Sequence, residues 1–381
     1  MTARVSWHEA RAIAGVAASA LPAELVALGS CVGRALVDDL ETGIDIPHYA
    51  SSAMDGWLVV GEGPWELTQG DPLPGQARPI VTGAFVAPTA SAVLRSESGA
   101  VIGDGTLRST VAGEPAAGQH IRALGTEAVR GERLIGAGTV LNPAHVALAA
   151  SAGADALRVH AVPSVALVFT GDEVVTHGVP GPGRVRDSFA VQLPALFALL
   201  DGRVTRTSRV GDELERTVNA IDECSEPLIV TTGGTGESSV DHVRAALRAL
   251  GAEFLVDGIA MRPGGPTSIA RLPDSRLVAS LPGNPLAAMV AAISICEPLV
   301  ASLAGRPARQ TRTVTTSGLE GRAGSTLLVP YALTDDRVAV VRWLGSGMMR
   351  GLAEADGLLV VPGAGTVEGE RTESLDLPWR G

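Results

Sequence analysis

The spacing of hydrophobic residues changes several times along the first part of the chain. In the first 40 residues Ala, Ile, Val and Leu recur at helical spacing, which predicts one or two helices. Between residues 44 and 132 the pattern becomes short β-like runs broken by Gly and Pro, at 57–60, 79–82, 92–94 and 119–122. Helical spacing returns at 143–152. This order predicts a helical base into which a β-rich lobe is inserted.

The middle of the chain alternates strand-like and helix-like segments from residue 163 to about 305, which predicts a parallel sheet covered by helices. Continuous apolar runs at 165–169 and 228–232 suit buried strands. A helix is expected at 192–200, with Pro194 leaving its start open. Apolar positions 243, 246, 247 and 250 predict another helix, which Gly251 would end.

Strand-like runs return after residue 306, at 311–315, 326–329, 338–343 and 357–361. The expected fold class is therefore a multidomain α/β plus β protein. The expected domains are a helical base (1–43 with 133–162), an inserted β-rich lobe (44–132), a central α/β domain with a parallel sheet (163–306) and a C-terminal β domain (307–381).

Charge and cysteine content narrow the classes of partner. The net charge of −11 argues against nucleic acid or an anionic membrane surface as the main partner. All 30 basic residues other than His are Arg, because the chain has no Lys. Cys31, Cys224 and Cys296 form no metal-binding spacing and are expected to be buried thiols of a cytoplasmic protein. The apolar run at 286–296 is too short to span a membrane.

A glycine-rich turn after the 228–232 run is the strongest candidate for chemistry. It contains Gly233, Gly234, Thr235 and Gly236, and the helix that follows has Asp241 in its first turn. A buried strand that runs into such a turn directs several backbone N–H groups and a positive helix end at one point, which suits phosphate or an oxyanion. A tight strand-to-helix turn without a ligand explains the same residues.

Acidic residues are expected at the same edge of the sheet. Asp172 and Glu173 follow the 165–169 run, and Asp212 follows another expected strand. The carboxyl ends of parallel strands meet at one edge, where carboxylates beside a phosphate cradle suit Mg²⁺. For each acid taken alone, a helix cap or a solvated loop is the favoured interpretation. The turn that contains Pro282 and Pro285 ends a further strand and provides either ligand contacts or a simple corner.

Taken in order, these motifs resemble the molybdopterin molybdenumtransferase family of MoeA proteins and the gephyrin E domain over nearly the whole chain. The matching segments are SAMDG at 52–56, TGA at 82–84, GTE at 125–127, TGDE at 170–173, LPGNP at 281–285, GSG at 345–347 and LAEADG at 352–357, together with Asp212 and Asp241. The resemblance implies a molybdopterin-binding-like central domain, a C-terminal β-barrel-like domain and a homodimer whose sites combine the central domain of one subunit with the β lobe of the other.

The resemblance also implies a reaction and a set of site residues. The family inserts molybdate into adenylylated molybdopterin with Mg²⁺-dependent release of AMP. By resemblance, Asp212, Asp241 and Glu173 act at the metal and the phosphate, and the partner subunit contributes Asp55 as a further catalytic acid. The implied substrate-binding residues are Thr82, Glu127, Gly233, Gly234, Thr235, Gly236, Arg262, Pro282 and Pro285. The implied partners are the molybdopterin nucleotide and a molybdopterin adenylyltransferase or another protein.

Several positions depart from the family pattern. The central loop usually reads GGVS, whereas this chain has Gly236 in place of the serine, and the family's KPGKP is RPGGP at 262–266. Arg262 keeps one positive charge, but Gly265 lacks the second. Two alternatives follow: a degenerate, gephyrin-like paralogue that acts as a binding or scaffold protein, and, from the TTGGTG sequence, a molybdopterin adenylyltransferase.

Overall fold

The computed structural model describes residues 4–233, 242–334, 337–345 and 347–380, without the side chains of Thr334 and Arg337. These residues form two compact units. The first unit combines the chain up to Glu24 with the chain from His160 onward, and the second unit is Leu25–Val159. Gly234, Thr235, Gly236 and Asp241 lie outside the described residues.

The helices and strands have the following bounds. The α-helices are α1 (Trp7–Gly15), α2 (Pro143–Ser151), α3 (Phe189–Leu199), α4 (Leu214–Asp222), α5 (His242–Ala249), α6 (Pro285–Ala291), α7 (Glu297–Leu303) and α8 (Met349–Glu354). The strands are β1 (Val5–Ser6), β2 (Ala23–Ala27), β3 (Leu40–Glu41), β4 (Ser51–Ser52), β5 (Gly56–Val59), β6 (Trp65–Leu67), β7 (Gln76–Ile80), β8 (Ala92–Arg95), β9 (Gly99–Val101), β10 (Thr106–Ser109), β11 (Ile121–Arg122), β12 (Arg133–Ile135), β13 (Ala156–His160), β14 (Ser164–Phe169), β15 (Val174–Val175), β16 (Val185–Arg186), β17 (Arg203–Arg209), β18 (Leu228–Thr232), β19 (Glu253–Asp257), β20 (Ile259–Arg262), β21 (Ser268–Arg271), β22 (Leu277–Leu281), β23 (Arg312–Leu319), β24 (Thr326–Thr334), β25 (Arg337–Val340), β26 (Gly357–Val361) and β27 (Thr366–Asp376).

The first unit is built on a sheet with the strand order β17-β14-β18-β22-β21-β19. Its first four strands are parallel, which confirms the predicted parallel sheet, and β21 and β19 extend it as antiparallel strands. Every residue of β18 and β22 is buried, and so is β14 beyond its first residue. Continuous apolar runs are needed here because helices cover both faces of such a sheet.

The C-terminal strands belong to a second sheet of the same unit. Its order is β1-β20-β24-β26-β27-β23, with β25 paired to β24. Strand β20 pairs in parallel with β1 on one side and with β24 on the other. The sheet therefore joins strands from the start, the middle and the end of the chain. The C-terminal β segment is therefore present but shares its sheet with two earlier strands. The four predicted domain boundaries remain a prediction.

A helix Pro285–Leu303 runs through the core of the first unit. It comprises α6, a π-helical turn at Ala292–Cys296, and α7. It is long and apolar enough to cross a membrane, but 94% of its most apolar window is buried inside the protein. An apolar helix buried by its own chain is what a core helix of a globular protein looks like. Cys296 lies in it, and all three cysteines are free and buried, as predicted.

The second unit is rich in short strands, which confirms the predicted β-rich character of the segment. Its main sheet has the order β8-β5-β7-β6-β10-β9. Trp65, Leu94 and Leu107 fill one face of this sheet with no more than 4% of each side chain exposed. The smaller pairs β4–β11 and β3–β12 continue the chain toward α2. Helix α2 begins at Asn142, whose side chain accepts the His145 N–H at 2.9 Å.

Two predictions of helices need correction. The helical pattern of the first 40 residues gives one helix, α1, after which the chain forms β2 and a 3₁₀ turn at Leu28–Ser30. Strand β2 pairs with β13, which lies far away in sequence, and this pairing overrides the local preference. Helix α3 starts at Phe189, three residues before the predicted start, and accommodates Pro194 in its interior.

Candidate functional site

Two acids meet at the carboxyl edge of the parallel sheet. The Asp172 N–H donates to Asp212 Oδ2 at 3.3 Å, and the Asp212 N–H donates to Asp172 Oδ2 at 3.5 Å. Asp172 follows β14 and Asp212 follows the neighbouring strand β17, so the parallel register brings them together. Gly211 allows this approach, because a Cβ atom there would lie 2.8 Å from Asp172 Oδ1. The Arg184 guanidinium donates to the Asp172 carbonyl.

Of the two acids predicted to lie at this edge with Asp212, the one that bonds to it is Asp172. Glu173 folds back toward Gly171, where a Cβ atom would lie 2.9 Å from Glu173 Oε2. The contact follows from the reversal of the chain at Gly171, whose φ of +119° favours glycine. The sequence identifies Asp172 and Glu173 as neighbouring acids, but the conformation of the turn at Gly171 determines that Asp172 is the one that faces Asp212.

The start of the glycine-rich turn lies next to this acidic edge. Gly233 has a φ of +82°, and a Cβ atom there would lie 2.6 Å from Thr170 Oγ1. The Thr170 hydroxyl itself donates to the Thr232 carbonyl at 2.7 Å. The Gly233 N–H donates to the Leu281 carbonyl at 3.1 Å, at the end of β22. Glycine is therefore required at position 233 for both conformation and space.

The turn after β22 connects the acidic edge to a cavity. A Cβ atom on Gly283 would lie 3.5 Å from the Gly233 Cα atom, so these two turns are in contact. On either side of Gly283, Pro282 and Asn284 line the cavity. Asn284 also caps α6, because its Oδ1 accepts the Ala287 N–H at 3.1 Å. Pro285 takes the first helical position, as the sequence predicts.

The cavity has a volume of about 650 Å³, which is large enough for a small organic ligand. Arg262 lies at its wall as the last residue of β20, and Thr267 fixes the loop that follows by donating its hydroxyl to the Gly264 carbonyl at 2.6 Å. The remaining wall is mainly apolar. The described lining residues are Arg4, Met261, Arg262, Pro263, Gly264, Gly265, Pro266, Pro282, Asn284, Leu286, Ala287, Val290, Leu327, Leu328, Val329, Pro330 and Leu344.

A metal would find hard oxygen ligands at the acidic edge. Asp172 and Asp212 each use one carboxylate oxygen on a long hydrogen bond of 3.3–3.5 Å, and both are only partly buried or exposed. Carboxylate oxygens of this kind are what Mg²⁺ prefers. Within the described ranges there is no cluster of three or more His, Cys, Asp or Glu side chains arranged to hold a metal ion. The predicted set of Glu173, Asp212 and Asp241 includes a residue outside those ranges.

The predicted residues of the β-rich lobe form their own arrangement in the second unit. Asp55 Oδ1 accepts the Thr82 N–H at 2.6 Å and the Thr82 hydroxyl at 2.8 Å. These two hydrogen bonds lower the pKa of Asp55 and keep it ionised. Glu127 pairs with Arg122 at 3.1 Å, with about half of each side chain exposed. Two segments, SAMDG and TGA, are thus joined directly through Asp55 and Thr82.

Two further residues at the site were given no individual role from the sequence, and they differ in how strongly the sequence signals them. Asn284 lies inside the predicted turn, and the hydrogen bond by which its side chain caps α6 accounts for an asparagine at this position. Arg4 reaches the cavity from the beginning of the chain, and its local sequence carries no signal of a site.

Comparisons with known proteins agree with this architecture. Residues 5–153 match the family model described as the MoeA N-terminal region, domains I and II, and residues 166–302 match the probable molybdopterin binding domain. A molybdopterin molybdenumtransferase from Nostoc sp. is 28% identical over 314 residues, which cover 74% of this chain and 70% of the relative. Molybdopterin molybdenumtransferase 2 from Mycobacterium tuberculosis is 28% identical over 375 residues, covering 88% and 90%.

The fold is also similar to that of a solved structure. The molybdopterin biosynthesis MoeA protein from Pyrococcus horikosii superposes with a TM-score of 0.78 at 22% sequence identity, and the match covers 98% of this chain and 99% of that one. At this level of identity the likeness concerns the fold alone. It agrees with the predicted combination of a central α/β domain, a β-rich lobe and a C-terminal β segment.

Proposed function

Since the chain belongs to the molybdopterin molybdenumtransferase family, we propose that it inserts molybdate into adenylylated molybdopterin and releases AMP during molybdenum cofactor biosynthesis. The observation that carries the proposal is the contact between Gly283 and Gly233. It makes the acidic edge and the arginine-containing cavity neighbouring parts of one surface. A ligand with a phosphate at the edge and a ring system in the cavity fits this arrangement.

The acidic edge supplies the residues for the phosphate end of the substrate. Asp172 and Asp212, together with Asp241, would hold Mg²⁺, with Glu173 beside them. When bound, Mg²⁺ would neutralise the phosphate oxygens as the phosphoanhydride bond breaks. Asp172 and Asp212 keep each other in place through their reciprocal backbone hydrogen bonds at 3.3 and 3.5 Å. The Gly233 N–H is engaged by the Leu281 carbonyl, and the amide groups of residues 234–236 would donate to the phosphate oxygens, as the glycine-rich sequence predicts.

The cavity supplies the residues for the other end of the substrate. Arg262 offers an always-charged, planar donor that suits phosphate or molybdate oxygens. Pro282, Leu286 and Val290 contribute apolar side chains to the wall, which would displace water from a bound ligand. Excluding water strengthens every charge interaction in the cavity, because the local dielectric constant falls.

We further propose that the protein acts as a homodimer in the cytoplasm. Asp55, Thr82 and Glu127 are exposed in the second unit, where Val81 and Phe85 beside them have 65% and 55% of their surface exposed. Large apolar side chains next to exposed ionised groups suit a subunit contact. In the proposed dimer, this surface of one subunit completes the site of the other, as the family resemblance implies.

Molybdate-dependent release of AMP from adenylylated molybdopterin tests the proposal. The Asp212→Asn variant should lose at least about tenfold in rate, because a neutral amide is a poorer ligand for the metal and a poorer partner for Asp172. Glu215→Gln is a matched control, since Glu215 is an exposed acid of α4 only three residues away. A folded wild-type dimer that releases no AMP would exclude the function. Pterin binding without AMP release would favour the scaffold alternative.

A further inference from the structure

Gly265 occupies a position at which the family resemblance leads us to expect a second cation. The space beside Gly265 holds the side chain of Arg4, which comes from the start of the chain. A Cβ atom on Gly265 would lie 3.4 Å from Arg4 Nη1. A Cβ atom on Gly258 would lie 3.3 Å from Arg4 Cγ and 3.5 Å from Arg4 Nε. The Arg4 side chain therefore extends across the two glycines.

The backbone fixes Arg4 in this place. Strand β1 pairs in parallel with β20, with Val5 opposite Ile259, so Arg4 is the residue just before the paired segment. The Val5 N–H donates to the Gly258 carbonyl at 3.3 Å, and the Ile259 N–H donates to the Gly265 carbonyl at 2.8 Å. The same short ladder thus anchors Arg4 and closes the loop that carries Gly265.

Arg4 also changes the charge of the cavity. Arg4 and Arg262 both line the cavity of about 650 Å³, and its described lining residues include no carboxylate. Both charged side chains among the described lining residues are therefore cationic, in a chain whose net charge is −11. A cationic, partly apolar cavity selects a compact anion rather than a neutral ligand. The Arg4 guanidinium has five N–H donors, so Arg4 can bind an anion while it keeps its other contacts.

We propose that Arg4 is the second anion-binding residue of this cavity and that, with Arg262, it binds a dianionic oxyanion or phosphate in place of the cation missing at Gly265. The assignment of that anion to molybdate or to the nucleotide phosphate rests on the proposed function. The binding role of Arg4 rests on its place beside Gly265. Arg4, which comes from a distant part of the chain, thus supplies the positive charge that the loop lacks at Gly265.

Equilibrium binding of two probes, molybdate and AMP, tests the proposal on the full-length protein with Mg²⁺ present. Arg4→Ala should weaken binding of at least one probe by about tenfold or more, the loss expected for a charged hydrogen bond. Loss with molybdate assigns Arg4 to the oxyanion, and loss with AMP assigns it to the phosphate. Arg4→Lys should retain most of the affinity. Arg371→Ala, which removes an exposed arginine from β27, should leave it unchanged.

A charge relocation separates a binding role from a structural one. In the Arg4→Ala/Gly265→Lys double variant, lysine enters the space that Arg4 vacated and should recover a large part of the lost affinity. In the Gly265→Lys single variant, the new side chain meets Arg4 at 3.4 Å, so affinity should not rise. Recovery only in the double variant would support the proposal, because a merely structural Arg4 would not be replaced by a lysine in the loop between β20 and β21.

Three results would overturn the proposal: Arg4→Ala binding within twofold of wild type for both probes, a loss that neither lysine variant recovers, or no binding of either probe by the wild type. These results are distinct from failure of the proposed function. If wild type releases AMP and Arg4→Ala is unaffected, only the role of Arg4 is wrong. If the probes bind in an Arg4-dependent manner without AMP release, the role of Arg4 stands and the proposed reaction is wrong.

Discussion

Replacing Gly233 with alanine should destabilise the carboxyl edge of the parallel sheet more than any other conservative change there. The backbone at Gly233 has a φ of +82°, in the left-handed region. The added Cβ atom would lie 2.6 Å from Thr170 Oγ1, which is too close for two non-bonded atoms. Thr170 has little room to move, because it is 8% exposed and its hydroxyl donates to the Thr232 carbonyl at 2.7 Å.

The size of the effect follows from these two causes. A left-handed alanine costs about 1–2 kcal/mol. Displacing the Thr170 hydroxyl breaks a buried hydrogen bond, but the Thr232 carbonyl still accepts the Thr170 N–H at 3.2 Å, so the further cost is about 0.5–1.5 kcal/mol. Gly233→Ala should therefore cost about 1.5–3.5 kcal/mol in total. Gly178→Ala is the matched control, because Gly178 has a φ of +68° and nothing within 4 Å of its added Cβ atom, so only the conformational cost applies.

Urea denaturation and hydrogen exchange of the β18 amides measure the two variants. The double variant Gly233→Ala/Thr170→Ala should cost less than the sum of the single changes, because removing the hydroxyl removes the collision. The reasoning is refuted if Gly233→Ala and Gly178→Ala are equally stable, or if the effects at positions 233 and 170 add without coupling. In either case the close approach between the turn and Thr170 would not exist in solution.

Two further predictions concern charged groups away from the acidic edge and the cavity. Glu297→Ala should lower the free energy of unfolding by about 1.5–3 kcal/mol, measured by urea denaturation, because it removes charged hydrogen bonds to Arg306 and to the Arg309 N–H, while Arg306 keeps a second carboxylate, Asp201, at 3.2 Å. The Glu297 and Arg306 side chains are only 2% and 6% exposed and lie 3.0 Å apart, so a loss below about 1 kcal/mol would contradict this. Asp55→Asn should lower the melting temperature at neutral pH, because Thr82 lowers the pKa of Asp55 in the folded state. That stabilisation is present above the unfolded pKa and is lost as pH falls through the folded pKa, so melting curves of the two proteins should converge in acid; a constant difference would contradict it.

The buried strands were predictable because a strand that is buried on both faces requires a continuous run of apolar residues. The structure has β18 at Leu228–Thr232 and β26 at Gly357–Val361, which are the predicted bounds. Helix α3 was harder, since Pro194 is a poor interior residue. It is tolerated because Leu193, Leu196 and Phe197 pack into the core and outweigh one missing hydrogen bond. Local preference alone contains no information about that packing.

The residues of the site likewise differ in whether their positions follow from the local sequence or from contacts between distant parts of the chain. The acidic edge was predictable, because the ends of parallel strands meet wherever the strands pair, and Asp172 and Asp212 each follow such a strand. The contact between Gly283 and Gly233 also follows from neighbouring strands. Arg4 was not predictable, because its place depends on the pairing of β1 with β20 across most of the chain. Only the tertiary structure brings that residue to the cavity.

The separation of charge within the proposed site has a consequence for how a ligand can bind. Asp172 and Asp212 make the edge negative, whereas Arg4 and Arg262 make the cavity positive. Two like charges about 4 Å apart repel by about 4 kcal/mol at the effective dielectric constant of a protein surface, so a phosphate cannot settle at the edge unless a divalent cation first compensates the carboxylates. An oxyanion in the cavity meets no such barrier, because arginine is always protonated. We therefore infer that an anion bound at the acidic edge requires a metal whereas an anion bound in the cavity does not, and that the turn at Gly283 marks the boundary between the two regions.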